Sequence, residues 1–276
     1  MGICLSIPFL NVPGHVPWAD PLLRVAHLSQ ERSGPIYDRS SAVTSNDAGM
    51  IEIYEYWNHY TLDNPPPDMP PIILQVPESF RYGSSKGATR NWGLNLLTFY
   101  PSFTSPQAPE NAHFTYDCKG DCNGRVLVAV NNHTHGIHHP EFTRGIDYPN
   151  MADMLVRSSI DQKSYQSYNS ISRSIGPQHG FDGGIEIRQP PGNGLGEQIH
   201  QLLWRLGPDG IHYDLFANCL TNPFAKTCTL HFSLKCNAAI YVQVVAIDMM
   251  HIDEFADVVE KTDRFVTSMV RQPQCR

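Results

Sequence analysis

A length of 276 residues exceeds a typical single domain, and 41% hydrophobic against 17% charged residues, with 22 prolines and 20 glycines, describes a loop-rich globule rather than a disordered or fibrous chain. The formal net charge of -7, with no Lys/Arg stripe, opposes a phosphate backbone and excludes nucleic acid as the expected partner. No run approaches about eighteen consecutive apolar residues, so no spanning helix is expected.

Residues 1–48 carry Pro, Ser and Asn without periodicity and read as an irregular lead-in. The apolar stretch Ile3 to Leu10 is short, with no basic residue before it and no small-residue cleavage site after it, so it makes a poor secretory signal. Gly2 to Ser6 fits a myristoylation pattern beside Cys4, and as a lipoprotein signal Cys4 has Ile3 where a small residue is wanted. A lipid anchor through a processed N-terminus is therefore an option the sequence leaves open.

A first α+β lobe is expected over residues 49–161. Ile51 to Trp57 mixes β-branched, aromatic and acidic residues as a half-buried strand does, and Asp63 to Pro71 is an extended proline-rich connector. Ile72–Val76 and Trp92–Tyr100 are further strands closed by proline, as edge or terminal strands are. Arg125–Val130 is a buried strand, and Tyr148–Ile160 a short helix capped by Asn150 with Met151, Met154 and Leu155 on one face.

A second lobe, residues 162–276, opens with a Ser-, Tyr- and Asn-rich surface loop over 162–174. Gly184–Ile187 is a strand. Gln198–Leu206 and Ile211–Phe216 flank Gly207-Pro208-Asp209-Gly210, turn chemistry that argues for a hairpin over a helix from Glu197 to Leu206. Thr229–Leu234 and Ala239–Ile247 read as antiparallel strands joined near Cys236. Ile252, Phe255, Val258, Val259, Phe265, Val266 and Met269 follow a 3.6-residue period and predict a closing amphipathic helix laid on a sheet. The fold class is thus α+β: two-lobed, mostly antiparallel sheets with a few flanking helices.

Six pairable cysteines suggest an oxidising compartment: Cys118 and Cys122 at tight-turn spacing, Cys219 and Cys228 bracketing a short loop, then Cys236 and Cys275. Connectivity among Cys4, Cys236 and Cys275 stays open. The spacings fit no usual zinc knuckle.

His133-Thr134-His135-Gly136-Ile137-His138-His139 follows a buried strand and resembles the His-x-His-x-Asp-His signature of metallo-β-lactamase-type hydrolases. Ile137 stands where the aspartate belongs, so the expected role is a polar contact loop without metal, and a zinc hydrolase on His133, His135 and His138 is the alternative. Gly83-Ser84-Ser85-Lys86-Gly87 matches a nucleophile elbow but lacks the strand before and the helix after it. Gly192–Gly196 has the wrong spacing for a dinucleotide loop, and no cofactor is expected. Asn132-His133-Thr134 is a glycosylation sequon by pattern. Glu52 and Glu55, an odd separation on a strand, do not form an acid/base pair.

Two stretches carry a family resemblance. One runs from Pro71-Ile72-Ile73-Leu74-Gln75-Val76-Pro77-Glu78 through Trp92–Phe103 to Cys118-Lys119-Gly120-Asp121-Cys122-Asn123-Gly124-Arg125; the other joins Cys219 and Cys228–Phe232 to the helix closing on Phe265–Met269. Together they resemble the periplasmic immunity proteins, often lipoproteins, encoded beside type VI secretion lipase effectors. The resemblance implies a periplasmic, non-catalytic protein that docks over the active-site entrance of a cognate toxin. Expected contacts lie in the loops: His133, His135, His138, His139, Tyr165, Tyr168, Phe181 and Asp182 combine exposure signals with anchor-type side chains. A periplasmic ligand-binding module with a deep apolar cavity is a further alternative.

Overall fold

Period-two alternation of apolar and polar residues, punctuated by Gly and Pro turns, makes this a strand-dominated α+β protein. The computed structural model describes residues 48–56, 60–65, 67–111, 124–133, 148–161, 170–190, 196–222, 225–247, 252–271 and 275, all of which belong to one unit. The expected lead-in over 1–47 lies outside these residues.

Strands β1 (Ala48–Ile53), β2 (Ile72–Pro77) and β3 (Arg90–Asn91) form a three-stranded sheet in the order β2-β1-β3, with β1 antiparallel to β2 and parallel to β3. β1 ends at Ile53, short of the expected Trp57. Its partner there is Ile72, and the proline-rich segment preceding Ile72 has few N–H groups with which to extend the ladder.

The second sheet contains β4 (Gly93–Phe99), β5 (Arg125–Asn132), β6 (Ile171–Ile175), β7 (Gly183–Gln189), β8 (Gln198–Leu206), β9 (Tyr213–Asn222), β10 (Ala225–Leu234) and β11 (Asn237–Ile247). Its order is β4-β5-β11-β10-β9-β8-β7-β6 and every neighbouring pair is antiparallel. The lobe boundary expected between residues 161 and 162 falls before β6. Strands from both sides of it share this one sheet, because β5 pairs with β11 along their length, and the core is continuous across it.

Gln198–Leu206 is a strand rather than a helix: Trp204 pairs with Phe216, and the Gly207 amide donates to the His212 carbonyl to close the turn. Residues 171–174, expected in a surface loop, instead belong to the edge strand β6. A two-residue turn at His179 and Gly180 continues the chain into β7, with φ of 51° and 80°; glycine adopts the second without steric cost.

Helix α1 (Met151–Asp161) starts where Asn150 Oδ1 accepts the Asp153 amide at 2.9 Å, the expected cap. It packs on β9 and β10. Helix α2 (Phe255–Met269), entered through a 3-10 turn at Ile252–Glu254, packs on β10 and β2 as its periodicity predicts. Phe255, Val258, Val259, Val266 and Met269 join Ile51, Ile53, Leu74, Val128, Leu230 and Val242 in one core between the two sheets.

Two disulfides bind the described residues. Cys219–Cys228 spans directly opposed positions of β9 and β10, and Cys236–Cys275 ties the β10–β11 turn to the segment after α2. Cys4, Cys118 and Cys122 lie outside the described residues. Disulfides point to an oxidising, extracytoplasmic compartment. Among the described residues no helix is long and apolar enough to cross a membrane.

Candidate functional site

Because Ile51 and Ile53 of β1 point into the core, Met50, Glu52 and Tyr54 point to the outer face of the small sheet. Arg90 lies opposite Glu52 through the parallel β1–β3 pairing, and its Nε sits 3.1 Å from Glu52 Oε2. Tyr54 donates its hydroxyl to the same oxygen at 2.8 Å; burial and then this bond raise the Tyr54 phenol. The Trp92 ring meets two tyrosines edge-on, Tyr56 at 5.6 Å and Tyr54 at 6.4 Å between centroids. Tyr56 is 53% exposed and Met50 48% exposed, so the rings are ordered from below and open above.

A buried arginine holds this sheet in place. Arg81 donates from Nη2 to the carbonyls of Gly49 (2.6 Å) and Val76 (3.2 Å) and from Nη1 to that of Ala88 (2.8 Å), tying β1, β2 and the approach to β3 together. Burial lowers its guanidinium pKa, and Glu78 at 3.4 Å works against that shift. Asn132, the sequon asparagine, is buried at the end of β5 with its amide donating to the carbonyls of Ile53 and Pro70 (3.2 Å each). It fastens the large sheet to the small one, and its side chain is not presented to solvent.

Of the contact residues expected from sequence, His135, His138, His139, Tyr165 and Tyr168 lie outside the described residues. Phe181 does not act as a surface anchor. It is 3% exposed, with its ring 5.9 Å from and perpendicular to that of Phe255, because the turn at 179–180 folds it beneath β7 onto α2. The neighbouring His179 imidazole meets the Asp253 carboxylate, holding that turn to the entrance of α2. Asp182 is exposed and accepts the Leu206 amide at 2.6 Å, finishing the end of β8.

His133 follows β5, its amide bonded to the Ala239 carbonyl and its ring edge-on to Tyr241 at 5.2 Å. Burial pushes its imidazole down to about 4. It belongs to an internal polar cluster that sequence reasoning missed. His231 Nδ1 lies 2.5 Å from Tyr241 Oη, which also accepts from Gln243 Nε2 at 2.8 Å. Burial takes His231 down to about 3 and raises the Tyr241 phenol, so at neutral pH the imidazole is neutral and the phenol protonated. Ser233 lies on the same face of β10, two residues on, its buried hydroxyl without a partner among the described residues. No hydrogen bond links it to His231 of the kind an activated nucleophile uses.

Ser85, at the nucleophile position of the elbow-like pentapeptide, is fully buried and accepts the Asn95 amide at 2.8 Å. It fastens a 3-10 turn, Gly83–Ser85, to β4. Glu186 on β7 is buried and receives Arg173 Nε and Arg188 Nε at 2.9 Å each and Gln201 Nε2 at 3.2 Å. Burial works to raise its carboxyl, but these hydrogen bonds together hold it below its usual range. Among the described residues no three His, Cys, Asp or Glu side chains converge as metal ligands. Comparison with protein-family models, with curated proteins and with solved structures finds no match to this chain.

Proposed function

We propose that this chain is an inhibitory binding protein: an immunity protein that acts in the periplasm by covering a cognate type VI secretion effector, a phospholipase or other lipase, and so protects the cell that makes both. The observation that carries the reading is the outer face of the small sheet, where Tyr56 meets Trp92 edge-on and Arg90 and the exposed Met50 lie further along the same face. Tyr, Trp, Met and Arg are the side chains enriched in protein interfaces, and anchors already ordered by ring contacts lose less entropy on binding. The disulfides fit a periplasmic address, and the sequence resemblance supplies the class of partner.

Co-expression with the toxin encoded beside it tests this reading. The expected result is a stable complex, abolished toxicity, and an affinity about 30-fold lower for Tyr56→Ala combined with Trp92→Ala, the loss of a hot spot worth about 2 kcal/mol. A double variant that binds and protects as the wild type does removes this face from the interface; failure to bind any neighbouring toxin removes the function.

A further inference from the structure

The two edges of the eight-stranded sheet are finished differently. At β4 the outward backbone of Asn95 is satisfied twice, its carbonyl accepting the Tyr82 amide at 2.8 Å and its amide donating to Ser85 Oγ at 2.8 Å, and Phe99 accepts the Phe103 amide at 2.7 Å. At β6 no hydrogen bond among the described residues reaches the outer edge. Residues 171–174 are exposed, Ile171 to 71%. An open edge is a template for a further strand.

Charge says which strand fits. Arg173 sits at the centre of β6 with a side chain 66% exposed, and it shares the single buried carboxylate of Glu186 with Arg188, whose Nη1 also lies 3.8 Å from Glu197. A second copy of the chain is disfavoured: antiparallel pairing of all five residues of β6 with themselves sets Arg173 against Arg173, and like charges directly opposite destabilise a pair. We propose that β6 is a strand-addition site for an extended segment of a partner protein carrying an acidic side chain opposite Arg173. Backbone pairing supplies the attachment and the arginine sets the register.

This proposal rests on the reading of the chain as a protein-contact module, and its test needs no toxin. A capped seven-residue peptide of alternating threonine and valine with glutamate at its centre is titrated into the full chain beside the same peptide with lysine. The glutamate peptide slows amide exchange across residues 171–175 and binds about tenfold more tightly than the lysine peptide. Arg173→Gln keeps a hydrogen-bond donor for Glu186 and removes the charge, and it brings the two affinities together. The proposal is overturned if neither peptide changes exchange in β6, if the preference survives in Arg173→Gln, or if β6 becomes protected with rising concentration of the chain alone, which would assign the edge to a second copy. Peptide binding at β6 without capture of any toxin would sink the immunity reading and leave the edge standing.

Discussion

On the face of the eight-stranded sheet turned toward β1, β2 and α2, neighbouring strands contribute Val126, Val128, Val130, Leu230, Phe232, Val242 and Val244, an unbroken apolar layer. The opposite face carries Leu127, Ala129, Phe216 and Leu202 but sets His231, Tyr241 and Gln243 among them. The apolar face gains from area removed from water and accepts many packings of similar volume. The polar face has one arrangement that satisfies its groups. A one-residue slip of β10 against β11 would move His231 into the apolar core and Leu230 out of it, breaking the bonds to Tyr241. The difference teaches that one side supplies most of the stability and the other the register.

The largest effect belongs to the apolar side. Phe255→Ala removes a fully buried ring where α2 meets the core, and urea unfolding should show a loss of about 4 kcal/mol. A loss under about 1 kcal/mol would mean that α2 is not part of the cooperative core. On the polar side, Tyr241→Phe takes the hydroxyl from His231 and Gln243 at once and should cost about 2 kcal/mol, with His231→Phe in the same background recovering part of it, since leaving a buried group unpaired costs more than removing both partners. Strictly additive losses would show that the two side chains act independently.

Acid should separate the faces further. Unfolded His231 titrates near 6.5, whereas the folded imidazole, depressed by burial, resists protonation down to about 3. As pH falls through 6.5 the unfolded chain takes up a proton that the folded chain refuses, so stability is full above that point and declines below it, by at most about 1.4 kcal/mol per pH unit. His133 adds in the same direction down to about 4. Comparing urea midpoints at about pH 7 and about pH 5 should show a drop that His231→Phe reduces; an unchanged drop would place the acid response elsewhere. The smallest stability effect is expected outside both faces: Tyr56→Ala on the small sheet should shift unfolding by less than about 0.5 kcal/mol, and a larger cost would make Tyr56 a structural residue instead of a contact.

Among the described residues, most of the strands and both helices are legible because each is an apolar run of continuous or regular pattern. β6 was hidden because Ile171-Ser172-Arg173-Ser174-Ile175 is exposed at the edge of the sheet, so its alternation resembles a polar loop. Phe181 misled for the opposite reason: Gly180, Gly183 and Gly184 read as an exposed loop, but a left-handed turn there lets the chain double back and bury the ring. The aromatic face was half visible. Ile51 to Trp57 reads as a half-buried strand, but the meeting of Tyr56 with Trp92 depends on β1 running parallel to β3, a pairing that no local pattern specifies. Likewise His231 and Tyr241 become partners only through the β10–β11 register.

The link from Cys236 to Cys275 closes a covalent ring of chain that contains all of β11 and all of α2. A protease that nicked this ring once would leave its two ends still tethered. The cut protein would migrate on a denaturing gel as one piece until a reductant was added. A single cleavage in the segment that seals the core therefore need not release that segment.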